Sequence, residues 1–397
     1  MKPRIFITMH YLELGGAEAS LIGLLHALDY NKVDVDLFIH AHHGELMAFI
    51  PGEVNLLPEI KKYSMLEEPI ADCLKKGFVD ITFCRLLSKL HHKLYFKAHP
   101  SIGDDDDYFI SQYTTWLLPK INPSVEYDLA ISFLTPHKIV LDKVRAKKKV
   151  AWIHTDYQTL RVARELVLPV WSQYDKIVSI SPDITRTFLN VFPSLTDKIV
   201  EIENIIPSAL IKERSSLFDV SDEMPAGHIN LLSVGRYHEA KNYDNVPDIA
   251  KRIVEKGVDN LRWYIIGYGP DENLIRRRIA EAGMQRHVIL LGKKENPYPY
   301  IKSCDIYVQP SRYEGKSITV REAQILCKPV IITNYATAHS QVINGVDGVI
   351  VPMDNEACAN GLLEVIKDVE LQNNLMAYLS VHDYGNESEV EKIYSLI

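Results

Sequence analysis

Two glutamates eight residues apart, in SRYEGKSITVRE at Ser311–Glu322, are the strongest chemical signal in this chain. Glu314 follows the short apolar run Ile306–Val308, and a helical pattern starts near Ser317. A helix beginning there turns its free N–H groups and positive dipole toward the space beside Glu314. Glu322, a turn or so into it, is then expected to look along the same cleft. Carboxylates accept from vicinal hydroxyls, so one suits a sugar and the other a ribose diol. A plain N-terminal cap with a solvated glutamate is the alternative. Gly235 and Arg236 directly follow the strand-like Leu231–Val234, and Lys241 comes five residues later. An arginine fork and a lysine point charge at a strand end suit a phosphate or diphosphate, although surface Arg and Lys are common. Gly15 and Gly16 lie between the apolar run Arg4–Met9 and a helical pattern. Bare backbone there admits an anion to a helix N-terminus, and serves equally as a tight turn. Gly267, opening GYGP, allows close backbone approach or a simple strand-to-helix connection.

The elements that must hold these residues form two similar series. RIFITM at Arg4–Met9, a helical face of Leu21, Leu24, Leu25 and Leu28, and the alternating Val33–Ile39 make a βαβ unit. Short strand runs recur at Asp128–Phe133, Lys149–Ile153 and Lys176–Ile180. After a turn at Glu203–Pro207, a polar stretch to about His228 reads as a linker. A second series follows at Ile229–Val234, Trp263–Ile266, Val288–Leu291, Ile306–Val308, Val330–Thr333 and Val349–Val351. The pattern predicts α/β architecture with two doubly wound halves, 1–206 and 207–384, and a closing segment 385–397 that crosses back to the first. In such sheets ligands bind beyond the carboxyl ends of the strands, where the residues above fall.

Composition narrows the class. The chain has 397 residues, formal charge -8, 47% hydrophobic and 24% charged residues, which excludes collagen-like and disordered chains. No run of apolar residues is long enough to span a bilayer, the amino terminus is not a signal peptide, and a cytoplasmic location is expected. The five cysteines are scattered and fit neither a disulfide framework nor a CxxC zinc site. The acidic run Asp104–Asp107 reads as a solvated loop, because a metal site wants spaced ligands. Net acidity argues against a nucleic-acid partner. One segment departs from that acidity: Lys75, Lys76, Arg85, Lys89, Lys93 and Lys97 interleave with Phe83, Leu86, Leu90 and Leu94. It reads either as an amphipathic helix packed on its own domain or as a membrane-surface or acceptor-binding patch.

These motifs together resemble the GT-B glycosyltransferases, two Rossmann-like domains facing each other across a cleft. More narrowly they resemble the retaining family four, the group-one glycosyltransferases. The resemblance is carried by GGAE at Gly15–Glu18, VGRYHEAKN at Val234–Asn242, IIGYGP at Ile265–Pro270 and SRYEGKSITVREA at Ser311–Ala323. KPVI at Lys328–Ile331 and NGVDGVIVP at Asn344–Pro352 complete it. It implies that Gly16 lies beside the transferred sugar and donor diphosphate, and that Arg236 and Lys241 neutralise that diphosphate in place of a metal. Glu314 would contact the donor sugar, the backbone of Gly315, Lys316 and Ser317, with Ile318 beyond it, the hydroxyls or phosphate, and Glu322 the ribose. His154, after the strand Lys149–Ile153, matches the family's active-site histidine. Two departures stand out: Lys316 replaces a usual apolar residue, adding a cation near a phosphate or carboxylated sugar, and Asn242 replaces a common glycine.

The expected activity is metal-independent transfer of a hexosyl group from a nucleotide-diphosphate-sugar, UDP- or GDP-linked, with retention. The donor is a substrate, no cofactor is implied, and the acceptor is a glycan or lipid-linked hydroxyl in capsule, O-antigen or exopolysaccharide synthesis. Read as a membrane-surface patch, the basic segment also implies peripheral association with the inner face of the membrane. The rivals are a GT-B sugar-nucleotide epimerase and a catalytically inactive sugar-nucleotide-binding subunit. A nicotinamide dehydrogenase is disfavoured by the missing GxGxxG.

Overall fold

A computed structural model describes residues 2–13, 15–99, 106–135, 137–157, 160 and 162–397. The chain divides into two compact units, Met1–Ile205 with Glu387–Ile397, and Ile206–Asn386. The first is built on a parallel sheet of β1 (Arg4–Met9), β2 (Asp34–Ile39), β3 (Asn55–Leu56), β4 (Tyr127–Ser132), β5 (Ala146–Ile153), β6 (Lys176–Ser179) and β7 (Ile199–Glu201). Its order is β3-β2-β1-β4-β5-β6-β7. The second contains β8 (Ile229–Val234), β9 (Leu261–Ile266), β10 (Val288–Gly292), β11 (Ile306–Gln309), β12 (Val330–Thr333) and β13 (Val349–Val351), in the order β10-β9-β8-β11-β12-β13. The two orders repeat one scheme, in which the chain winds outward from the first strand and then reverses past it. That reversal, between β1 and β4 in one unit and β8 and β11 in the other, leaves a crevice at the carboxyl ends of the strands.

Burial explains why the strands read as apolar runs. In the second unit Leu231, Trp263 and Ile265 face one hydrophobic cluster, while their neighbours Leu232, Tyr264 and Ile266 face another. Both faces are covered, as crossover helices require. The same rule corrects the alternation expected for Val33–Ile39. Asp36 is not turned to solvent but is 1% exposed. Its carboxylate accepts from Tyr127 Oη (2.7 Å), Asn55 Nδ2 (2.7 Å) and Asn122 Nδ2 (3.2 Å), which offsets the cost of burying a charge. The two-residue β3 and three-residue β7 are edge strands too short to leave a pattern.

The stretch read as a linker is instead part of the second unit. Ser208–Arg214 is helical, and Ile211, Val220 and Met224 are buried. Arg214 donates from Nη2 to Glu295 O (3.1 Å), and its own carbonyl accepts from Asn296 Nδ2 (2.8 Å). Few apolar residues carry this packing, so the sequence looks polar while its backbone is fixed by distant partners. The closing segment lies within the first unit: Val390 and Ile393 are buried, and Tyr394 Oη accepts from Asp29 N–H (2.7 Å).

Between β3 and β4 the described residues form the helices α2 (Lys61–Glu67), α3 (Ile70–Lys75), α4 (Val79–Ala98) and α5 (Asp106–Thr114). One side of α4 packs on α5 through His91, His92, Tyr95 and Phe96 around Phe109. Its other side is different. Val79, Phe83, Leu86, Leu90 and Leu94 are each more than half exposed. Their intervals of four, three, four and four make one stripe along the helix. Of the acidic run, Asp104 and Asp105 lie outside the described residues, while Asp107 accepts from Thr135 Oγ1 (2.6 Å).

Candidate functional site

The crevice of the second sheet gathers several of the expected residues. The loop after β8 carries Gly235, Arg236 and Lys241, and the loop after β11 carries Ser311, Glu314 and Ser317. Lys241 ends a short 3-10 turn, Glu239–Lys241, and Asn242 closes it at φ 61°. Asparagine is among the few residues that adopt this left-handed conformation at low cost, so the change from a family glycine keeps the turn. Lys241 then lies along Gly235. A Cβ on Gly235 would meet Lys241 Cε at 3.2 Å and Tyr243 Oη at 2.8 Å.

Gly267 supports this from behind. At φ 154°, a Cβ there would lie 1.9 Å from the Gly235 carbonyl oxygen. It serves the close approach of two backbones.

The centre of the cluster is the carboxylate of Glu314. Its Oε1 accepts from Lys241 Nζ (2.6 Å), Ser311 Oγ (2.6 Å) and Gln309 Nε2 (3.0 Å). Its Oε2 has no hydrogen-bond partner among the described residues, and its side chain is 11% exposed. One oxygen is fixed and the other is available. The surrounding loop is rigid because Arg312 forks onto Asp244 (2.9 and 2.8 Å), and Thr337 Oγ1 donates to Glu314 O (2.9 Å). Arg236 is exposed and makes no hydrogen bond or ion pair with a described residue. The two cations thus differ: the charge of Lys241 is matched in place by Glu314, while Arg236 has no partner among the described residues.

The glycine loop after Glu314 is open. A Cβ on Gly315 would meet nothing within 4 Å, and Lys316 is exposed beside it. Ser317 is the N-cap of the helix Ile318–Ile325, as its sequence suggests. Its N–H is taken by Gln341 Oε1 (3.2 Å), whose Nε2 returns to Ser317 O. The helix N-terminus is thus partly satisfied by a side chain that periodicity could not reveal.

Glu322 departs most from expectation. It is 7% exposed and accepts from Tyr298 Oη (2.9 Å), with the Arg214 guanidinium 5.0 Å from the Tyr298 ring. It shares no hydrogen bond with the Glu314 cluster. Burial pushes its carboxyl up to about 7, against the hydrogen bond from Tyr298 and the nearby Arg214 charge. Neither Tyr298 nor Arg214 carries a signal in the sequence: one opens the short helix Tyr298–Ser303 between two prolines, and the other lies in the stretch read as a linker.

In the first unit, Gly15 is the N-cap and Gly16 the first residue of α1 (Gly16–Ala27). The Glu18 carboxylate folds back over this end, its Oε2 2.1 Å from where a Gly15 Cβ would sit, whereas Gly16 faces open space. A resident anion thus already occupies part of the dipole site. His154 follows β5 with its ring stacked on Trp152 (6.2 Å, 7°) and against Phe133 (4.7 Å). Burial lowers its pKa to about 4, so the imidazole is neutral near pH 7.

Two Rossmann-like units with polar clusters at the strand ends make up a GT-B fold. Residues 221–379 match the model of the family glycosyl transferases group 1. The amylovoran biosynthesis glycosyltransferase AmsD of Erwinia amylovora is 24% identical over 270 residues, 66% of this chain and 74% of its own length. The capsular polysaccharide biosynthesis glycosyltransferase CapM of Staphylococcus aureus is 31% identical over 144 residues, 36% and 38% of the two chains. EpsF of Bacillus subtilis aligns over 35% of each chain, so the match spans about a third of that relative's length. Anabaena HepE in complex with UDP shares the fold over 100% of this chain and 98% of its own, with TM-score 0.62 and 15% identity. No helix among the described residues is long and apolar enough to cross a membrane.

The elevated Glu322 pKa has a stability consequence. The folded state holds this proton more tightly than the unfolded one, whose ordinary value is 4.5. The contribution is therefore full below about pH 4.5 and is lost as pH rises through about 7. Urea unfolding across this window should show a steeper loss of stability in the parent chain than in Glu322→Gln. Equal pH slopes would contradict the burial argument.

Proposed function

We propose that this protein transfers a hexosyl group from a nucleotide-diphosphate-sugar to a hydroxyl acceptor, with retention at the anomeric carbon, during cell-surface polysaccharide synthesis. The observation that carries the donor half is the Glu314 cluster: a carboxylate with one fixed and one available oxygen, beside Lys241 and the unpaired Arg236. In this reading Glu314 Oε2 accepts from a sugar hydroxyl, while Arg236 and Lys241 stabilise the departing diphosphate. Gly235, Gly315, Lys316, Ser317 and Ile318 line its path. Glu322 takes the ribose diol after Tyr298 yields its hydrogen bond. The bond from C1 to the β-phosphate oxygen breaks, the acceptor oxygen bonds to C1 on the same face, and its proton passes to the leaving phosphate. Two protein cations supply the charge, so no divalent ion is assigned to this step.

The acceptor is assigned to the first unit in this reading, with Gly15, Gly16 and the neutral His154 as that unit's site residues. A cavity of about 410 Å³ there, lined by Thr135, Lys138, Thr155, Tyr157 and Trp171 among others, offers hydroxyl, ammonium and aromatic surfaces suited to a glycan. The names of AmsD and CapM support polysaccharide synthesis. A lipid-linked acceptor is supported by α4: its exposed apolar stripe is edged by Lys89, Lys93 and Lys97, all exposed. Apolar side chains entering the interface beside lysines, each worth about 1 kcal/mol near an anionic leaflet, suit a bilayer surface.

Arg236→Ala and Lys241→Ala should each lower turnover by about 10²–10³, the usual effect of removing a group that stabilises developing negative charge. Full activity in both would remove the diphosphate assignment. In EDTA, added Mg²⁺ or Mn²⁺ should not raise turnover, and a rise would place a divalent ion in the step. Vesicle flotation addresses the membrane reading: the chain should float with phosphatidylglycerol vesicles and not with phosphatidylcholine alone. Leu86→Asp/Leu90→Asp should abolish it, and parent chain left unbound would refute that reading.

A further inference from the structure

Three side chains at the other sheet's crevice are used by nothing above. His10 follows β1, His40 follows β2, and Glu67 ends α2. The backbone pairing of β1 and β2 runs on past the strands, with His40 N–H donating to Met9 O (3.0 Å) and Ala41 N–H to His10 O (2.9 Å). The two imidazoles are thereby stacked, centroids 5.4 Å apart at 25°. Glu67 lies across both, Oε1 3.2 Å from His40 Nδ1 and Oε2 3.8 Å from His10 Nδ1. One ligand atom from each of the three lies within 4.8 Å of the others. His40 is 2% exposed, walled by Phe38 and Tyr63. The Nε2 atoms of His10 and His40 are buried without a hydrogen-bond partner among the described residues.

We propose that His10, His40 and Glu67 bind one zinc-class divalent cation, with the fourth position open to water. Two imidazole nitrogens and one carboxylate oxygen are a donor set that suits zinc, whereas magnesium and calcium want oxygen ligands. Zinc bonds of about 2.0–2.2 Å place tetrahedral ligands roughly 3.4 Å apart, so one oxygen of Glu67 and a nitrogen of each imidazole, already within 4.8 Å of one another, need only draw together around the ion. The nearby Arg85 makes no hydrogen bond to the carboxylate among the described residues; its Nη1 donates to the carbonyls of Met65 and Glu68. The apolar wall around His40 excludes water from one side of the cluster, which favours retention of a metal. The cation would tie α2 to the ends of two central strands and fix the crevice wall of the first unit. This assignment is independent of the donor reading.

The test uses the full chain, stripped by chelator and desalted. Zn²⁺ titration by calorimetry should show one tight equivalent, and Co²⁺ should give the intense visible bands of a four-coordinate site. Zn²⁺ should raise Tm, and Mg²⁺ should not. Glu67→Gln and His40→Gln should each weaken Zn²⁺ binding by at least ~100-fold, more than the usual loss of an outer-shell partner. No stoichiometric Zn²⁺ binding by the parent chain, or unchanged affinity in both variants, overturns the proposal. Circular dichroism checks that the metal-free variants fold. Should they not, the parent chain decides: the His10 and His40 imidazole resonances must shift with one equivalent of Zn²⁺, and their failure to do so refutes the site.

Discussion

The ion pair between Lys241 and Glu314, 2.6 Å long, is the interaction on which the second unit's crevice depends. Each partner belongs to a different strand end, and the reversal of strand order between β8 and β11 is what lets those ends meet. Around it everything has a stated reason. Gly235 leaves room for the lysine stem, Gly267 leaves room for Gly235, and Asn242 turns the chain so that the lysine points inward. Gln309 and Ser311 share the same carboxylate oxygen, so the glutamate cannot rotate without losing three donors. Breaking one partner of such a part-buried pair leaves the other's charge uncompensated.

Much of this was legible in the sequence. Strand ends and helix starts follow from short β-branched runs and 3.6-residue spacing, and both sheets appeared from them with only the edge strands β3 and β7 missing. The chemistry-bearing positions also fell where a doubly wound sheet puts its ligands, because the residues after each strand can be counted off. Long-range pairing was not legible. Nothing in the spacing of Glu314 and Glu322 tells that one joins Lys241 while the other is sealed under Tyr298, since both belong to one motif. Ser208–Met224 escaped for a related reason: its order comes from bonds to Glu295 and Asn296, some eighty residues away.

The two units cover their helix N-termini with different side chains. At the first, the α1 N-terminus is covered by its own Glu18, whose carboxyl is raised by burial. At the second, a glutamine fills one of the N–H positions of the helix Ile318–Ile325. Both arrangements satisfy donors that would otherwise be exposed to water, and both are short-range side-chain contacts that yield to a better acceptor.

Under the proposed donor reading, the contrast between Arg236 and Lys241 separates capture of an anion from its seating. An unpaired guanidinium in water projects its field over about one Debye length, roughly 8 Å at physiological ionic strength, so it acts on an anion before contact. The lysine, its charge already matched by Glu314, is nearly silent at that range and acts only once an anion is close enough to compete for it. Salt would therefore slow arrival through the arginine, while leaving the lysine's hold on a seated ligand largely as it was.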